Sequence, residues 1–300
     1  MNFSGKYREL IQPEKLHVLS ISTLLDKLED SRGGSGANIA YGLAQLGEKP
    51  VLLGSVGSDA QFYIDNLGED GVDVSHIHFS NLATASFNVI TDSEDNQVGG
   101  FYQGAMSDSD SLSFVPWKGQ NALMLVGAHQ PAAMNRQVKE CVDNQLRLVY
   151  DPGQQVANDE TDLKAGVAAA EILMVNDYEQ GLLCRRLNTT PEQIKAQVPI
   201  MVTTFGKEGS AIEGTKVGEP ITVGIAVPNE VTDPTGAGDA YRAGFLYGYL
   251  RQWDLKKCGQ LGATLASFVV EKHGTQQPFS KAVVRDRFKA NFGEEVELNG

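Results

Sequence analysis

Long apolar runs, cysteines and positive charge are all scarce in this chain of 300 residues. No stretch approaches the roughly 20 consecutive apolar residues that a membrane-spanning helix requires. Met1 to Leu10 lacks the apolar core of a signal peptide. The three cysteines, Cys141, Cys184 and Cys258, are odd in number and far apart, without metal-ligand spacing. They read as reduced thiols of a cytoplasmic protein and not as a disulfide framework. Lys and Arg total 25 against 38 Asp and Glu, a formal net charge of -13. A field of that sign repels polyanions, which argues against nucleic acid or an anionic membrane as partner. A small phosphorylated ligand stays compatible, because local amides can hold it whatever the net charge.

What is present is the composition of a soluble globular protein, 41% hydrophobic and 21% charged, in a chain long enough to bury a substantial core. There is no internal repeat, linker or low-complexity tract, so one domain with a small accessory β-sheet is expected. Residues 16–25 have the β-branched, alternating content of a strand. Apolar positions 39, 40, 43 and 46 predict one helical face that stops at Gly47, and Pro50 to Val56 predicts a buried strand. Residues 84–91 and 97–103 predict two strands around a polar turn, with aromatics at Phe87, Phe101 and Tyr102. Short apolar runs at 122–126, 146–150, 172–175 and 200–204 suit strands buried on both faces, and 240–250 and 257–270 are the clearest helices. The pattern predicts an α/β fold with a mostly parallel sheet.

Ligands of open α/β sheets collect beyond the carboxyl ends of the strands. Three polar clusters stand at such ends: Asp151-Pro152-Gly153-Gln154-Gln155, Asn176-Asp177-Tyr178-Glu179 and Thr203 through Gly209. A fourth stretch, Asp233-Pro234-Thr235-Gly236-Ala237-Gly238-Asp239-Ala240, opens the helix at 240–250. Helix-start amides have no internal partners and lie at the positive end of the dipole, so amides at 236–238, nearly free of side-chain bulk, can close on an anion. Asp239 then stands where a base for a hydroxyl nucleophile belongs. The competing reading is a flexible helix start with a capping acid. A phosphate-binding loop of the Gly-x4-Gly-Lys-Ser/Thr type is excluded, since Gly209 to Gly214 continues Thr215-Lys216 with no helix pattern behind it. Dinucleotide fingerprints fail too: Gly34-Ser35-Gly36 runs into Ile39 and Gly236-Ala237-Gly238 into Tyr241, where a third glycine is needed.

Gly33-Gly34-Ser35-Gly36-Ala37-Asn38 and Asp233 to Asp239 resemble the two signatures of the ribokinase-like (PfkB) carbohydrate kinase family, and Asn176 with Glu179 resembles its Asn-x-x-Glu element. The likeness covers the whole chain in the family's order. Within the family, Phe101-Tyr102-Gln103-Gly104-Ala105-Met106, Asp151 to Gln155, Asn176 to Glu179 and Gly274-Thr275-Gln276 together look most like bacterial adenosine kinases of the actinobacterial type. The resemblance implies a three-layer α/β/α sandwich with a small β-sheet lid, the core over 33–83 and 104–300 and the lid over 1–32 and 84–103. It implies ATP-dependent phosphorylation of a nucleoside 5′-hydroxyl, adenosine above all, with Asp239 as general base and the amides of Gly236, Ala237 and Gly238 as anion hole.

By the same resemblance, Asn176 and Glu179 act on Mg²⁺, through its waters, Glu179 having as its alternative a helix-capping role with Asn176. Thr204, Gly206, Lys207 and Gly209 line the ATP phosphates and ribose, with His273, Gly274 and Gln276 near the adenine; Lys207 reads equally as a solvated loop lysine. Gly34 and Asn38 meet the ribose hydroxyls of the acceptor. Phe87 and Phe101 stack on its purine and Gln154 and Gln155 bond the purine edge, the aromatics having core packing as their alternative. K⁺ is a candidate auxiliary ion, and a homodimer through the lid sheet is expected. One departure stands against full transfer. Family members open with a strand whose aspartate grips the sugar hydroxyls, and Met1 to Tyr7 looks like the segment just after it. That strand is expected to be missing, with Asp26, Asp30 and Asp59 as poor substitutes. The alternatives are a kinase of a free sugar, of ribose or fructose type, and a non-catalytic nucleotide-binding relative.

Overall fold

The computed structural model describes residues 1–11, 21–94 and 96–298. α1 (Tyr7–Leu10) and α2 (Ser35–Gln45) precede β1 (Gly54–Gly57), α3 (Gln61–Glu69) and β2 (Ile77–Ser80), and a hairpin follows, β3 (Ser86–Thr91) with β4 (Gln97–Tyr102). Strands and helices then alternate: β5 (Leu123–Val126), α4 (Pro131–Asn144), β6 (Arg147–Tyr150), α5 (Leu163–Ala169), β7 (Ile172–Asn176), α6 (Asp177–Leu187), α7 (Pro191–Lys195) and β8 (Ile200–Thr204). β9 (Ser210–Glu213), β10 (Ile221–Val223), α8 (Ala237–Leu250), α9 (Leu255–Val269) and α10 (Lys281–Phe292) complete the described chain.

A six-stranded sheet runs β10-β9-β8-β7-β6-β5. β5 to β8 are parallel, and β9 and β10 are antiparallel additions at one edge. β7 and β8 are buried on both faces until their last residues, Asn176 and Thr204, which are half-buried and register partners. The continuous apolar content predicted for these runs follows from that double burial. One core cluster joins this sheet to α8, α9 and α10, and a second joins it to α4, α5 and α6.

Two expectations need correction. In the strand expected at 16–25, residues 16–20 lie outside the described residues and 21–25 form no strand; instead Asn2 bridges Thr91 on one side and Lys27 on the other. The strand expected at 50–56 begins only at Gly54, after an isolated bridge from Val51 to Asp73, and pairs with β2 in a separate two-stranded parallel sheet. Among the described residues no strand joins β1 to β5.

Small residues set how closely the helices around the site approach. A Cβ on Gly244 would lie 2.8 Å from the Cα of Gly262, and one on Gly262 would lie 2.7 Å from the carbonyl oxygen of Tyr241, so α8 and α9 meet backbone to backbone. A Cβ on Gly42 of α2 would lie 2.7 Å from Cβ of Ala243 on α8. These contacts bring the amino ends of α2 and α8 together.

Candidate active site

α8 begins behind Gly236, whose φ of +84° is left-handed backbone that favours glycine. Thr275 packs on that glycine from the loop after α9, and a Cβ there would lie 2.8 Å from the Cβ of Thr275. Ala237, Gly238 and Asp239 form the first turn; no N-cap side chain caps it, and the Ala237 amide makes a long bond of 3.2 Å to the Pro234 carbonyl.

Asp239 is half-buried and is held from α2: Asn38 Nδ2 donates to Asp239 Oδ2 at 2.8 Å. The two residues are 201 positions apart. The contact continues the Gly42–Ala243 approach, each pair of neighbours lying four residues along its helix. Asn38 is buried, 6% exposed, and both ends of its amide are engaged. Its Oδ1 lies 2.9 Å from Thr275 Oγ1 and accepts from Gln276 Nε2 at 3.1 Å. Gln276 Nε2 also donates to the Tyr63 hydroxyl at 2.7 Å, and that hydroxyl donates to the Gly33 carbonyl at 2.8 Å. Burial pushes the carboxyl of Asp239 above the ordinary aspartate range, against opposing pulls from Asn38, Arg242 and Ser35. A raised carboxylate is a stronger proton acceptor once ionised.

Asn176 and Glu179 form a complete capping box on α6: Asn176 Oδ1 accepts from the Glu179 amide at 2.8 Å and Glu179 Oε2 accepts from the Asn176 amide at 2.8 Å. The capping role is therefore realised, and one carboxylate oxygen of Glu179 is left for other work. Burial raises the Glu179 carboxyl too, with Asp151 and Asp239 adding to the rise. Among the described residues no three His, Cys, Asp or Glu side chains gather to ligate a metal directly. The buried carboxylates of Asp151 and Glu179 and the half-buried one of Asp239, around the cation Arg242, nevertheless leave excess negative charge, which fits a hydrated divalent cation reached through water.

Thr204 stands beside Asn176 at the end of the sheet, and the turn behind it carries Gly206 (φ +56°) and Gly209 (φ +90°) with Lys207 exposed between them. Gly34 (φ +93°) is the residue before α2. Gln154 is exposed and Gln155 half-buried, in a single helical turn after β6. His273 is exposed, Gly274 takes φ +92°, and Gln276, expected beside the adenine, donates its Nε2 to Asn38 and Tyr63 while its Oε1 is buried without a partner. Phe87 and Phe101 are direct cross-strand partners on the hairpin, 66% and 56% exposed, so the core-packing alternative does not hold for them. Hydrogen bonds thus unite Asn38, Gln276 and Asp239. The aromatics stand on the hairpin, apart from that network.

Sequence reasoning missed Tyr63, the direct Asn38–Asp239 bond and Arg242. Only the last left a signal, a lone charge inside the otherwise apolar stretch 240–250.

The pfkB family carbohydrate kinase model matches residues 6–282. The chain belongs to that family, and is a phosphotransferase acting on an alcohol group. It is 33% identical over 288 residues to the nucleoside kinase of Methanothermobacter thermautotrophicus, covering 92% of this chain and 91% of the relative. It is 32% identical over 251 residues to that of Methanocaldococcus jannaschii, covering 81% and 80%. The structure of Burkholderia thailandensis nucleoside kinase in complex with inosine superimposes with a TM-score of 0.86 at 26% identity, over 99% of this chain and 96% of that one. The fold is ribokinase-like, with a mostly parallel sheet and helices around it.

Proposed function

We propose that the protein transfers the γ-phosphoryl group of ATP to the 5′-hydroxyl of a purine nucleoside, adenosine in the first place. The observation that carries this reading is the half-buried Asp239, oriented by Asn38 on the first, uncapped turn of α8. Its carboxylate takes the hydroxyl proton as the oxygen attacks the γ-phosphorus, and ADP leaves. The amides of Gly236, Ala237 and Gly238 hold the charge that develops on the transferred group. Glu179, with Asn176, is the residue to hold Mg²⁺ through water; when bound, that ion neutralises phosphate charge. Gly34 approaches the acceptor ribose, and Thr204, Gly206, Lys207 and Gly209 border the nucleotide phosphates. His273 and Gly274 stand on the adenine side, while Asn38 and Gln276 act through the network around Asp239.

The described residues of 84–103 and 1–32 belong to the lid, and those of 33–83 and 104–300 to the core. Register supports a two-sided hairpin. Phe87 and Phe101 share one face and suit a purine ring, with Gln154 and Gln155 for its edge, while Val98 and Tyr102 occupy the other face, exposed and suited to a second copy. A nucleoside acceptor is favoured over a free sugar by these flat apolar surfaces and by the nucleoside kinases among the relatives. Asp239→Asn tests the reading. ADP formation with adenosine should fall roughly 10²–10⁴-fold with ATP affinity little changed, and retention of the full rate removes Asp239 from the mechanism.

A further inference from the structure

Arg242 is buried to 8% exposure and its partner Asp151 to 3%. Arg242 Nη2 donates to Asp151 Oδ1 at 2.8 Å, and its Nε lies in ion-pair contact with Asp151 Oδ2 without a second hydrogen bond, so one hydrogen bond and one close charge contact hold the guanidinium. Helical side chains lean towards the amino end, so residue 242 covers the turn that holds Gly238 and Asp239. A Cβ built on Gly238 would lie 2.8 Å from Arg242 Nη1. The guanidinium is thus pressed against the amide turn from the protein side. Glu179 and Asp239 both lie within its electrostatic reach, so one cation faces three carboxylates. Stability alone is a weak reason for this arrangement, since buried ion pairs are often replaceable by apolar groups at no cost.

We propose that Arg242, clamped by Asp151, is a positioning residue for phosphoryl transfer: its fixed positive charge lies behind the amides of residues 236–238 and adds to the anion hole, and its contact with Gly238 sets the direction of Asp239. The inference rests on the reading of Asp239 and the anion hole given above. The guanidinium acts from behind the turn and does not touch substrate. Asp151 keeps its fork oriented, which a lysine could reproduce only in part because it lacks the planar, two-point geometry.

The test compares Arg242→Lys with the double variant Arg242→Gln/Asp151→Asn, in which the two partners of the ion pair lose their charges together. Thermal melting and ADP binding report folding and the nucleotide site; kcat and KM report the reaction. The double variant should melt and bind ADP near wild type while kcat falls roughly 10²-fold with KM for nucleoside little changed, and Arg242→Lys should recover about tenfold of that loss. A double variant within about threefold of wild-type kcat reduces the pair to a structural role and overturns the proposal. So does an Arg242→Lys protein no faster than the double variant. Asp239→Asn, run alongside, separates the layers: full activity there sinks the base assignment, whatever the arginine variants do.

Discussion

Asp239 is asked to ionise in a place that resists ionisation, and both halves of that conflict can be measured. Burial raises its carboxyl above the value near 3.9 of an unfolded aspartate. A group whose native pKa is raised contributes stability below the unfolded pKa, and that contribution is lost as pH rises through the native pKa. The ionised carboxylate therefore destabilises the neutral-pH fold. Asp239→Asn should melt higher than wild type at pH 7–8, with the gap closing below about pH 4. The same residue should place the acid limb of the pH–kcat/KM profile above the ordinary aspartate range. An asparagine variant that melts lower at pH 7–8, or an acid limb below pH 3.9, contradicts the assignment. Glu179 shifts in the same direction and shares the linkage sign.

At the scale of elements, the site depends on α2 and α8 lying close enough for Asn38 to reach Asp239. Gly42→Ala drives a Cβ into that of Ala243, which sits at 2.7 Å with no flexible end to yield. It should cost about 1–3 kcal/mol of stability and lower kcat by loosening the Asn38–Asp239 bond. Gly218→Ala, with nothing within 4 Å of its built Cβ, is the control and should leave both unchanged. Denaturant unfolding and steady-state kinetics read the pair. The hairpin has its own latch: Asp59 accepts from the Thr84 amide at 3.0 Å and from Thr84 Oγ1 at 2.7 Å, and the Ala105 amide donates to the Ala83 carbonyl at 2.8 Å. Asp59→Ala should speed amide exchange over β3 and β4 and leave the six-stranded sheet unchanged. Equal protection of the hairpin in both proteins would show that the latch does not hold it.

How much of these elements was legible in the sequence depended on how strongly burial constrained them. Runs 172–175 and 200–204 map onto β7 and β8 almost residue for residue, because strands buried on both faces must be apolar throughout. α8 and α9 start earlier than their apolar period suggests, since glycines open one and the Asp254 cap opens the other. β2, β9 and β10 were invisible as strands of three or four residues with mixed burial. In the site, the glycine-opened start of α8 and the acid in its first turn were readable from local grammar, with a capping acid as the competing reading. The Asn38 bond to Asp239 and the Gln276 bond to Asn38 were not, because only packing of distant segments creates them.

For the whole molecule, the exposed hairpin face with Val98 and Tyr102 predicts a homodimer, since an uncovered apolar strand surface invites pairing. Sedimentation velocity at micromolar concentration should show it, and a monomer there rules out pairing through the hairpin. No helix among the described residues is long and apolar enough to cross a membrane. An ADP-forming assay across adenosine, inosine, guanosine, ribose and fructose reads the phosphoryl-transfer chemistry itself. Turnover should appear on purine nucleosides, adenosine foremost, with ribose and fructose far behind. Faster turnover on ribose than on adenosine would contradict the nucleoside reading.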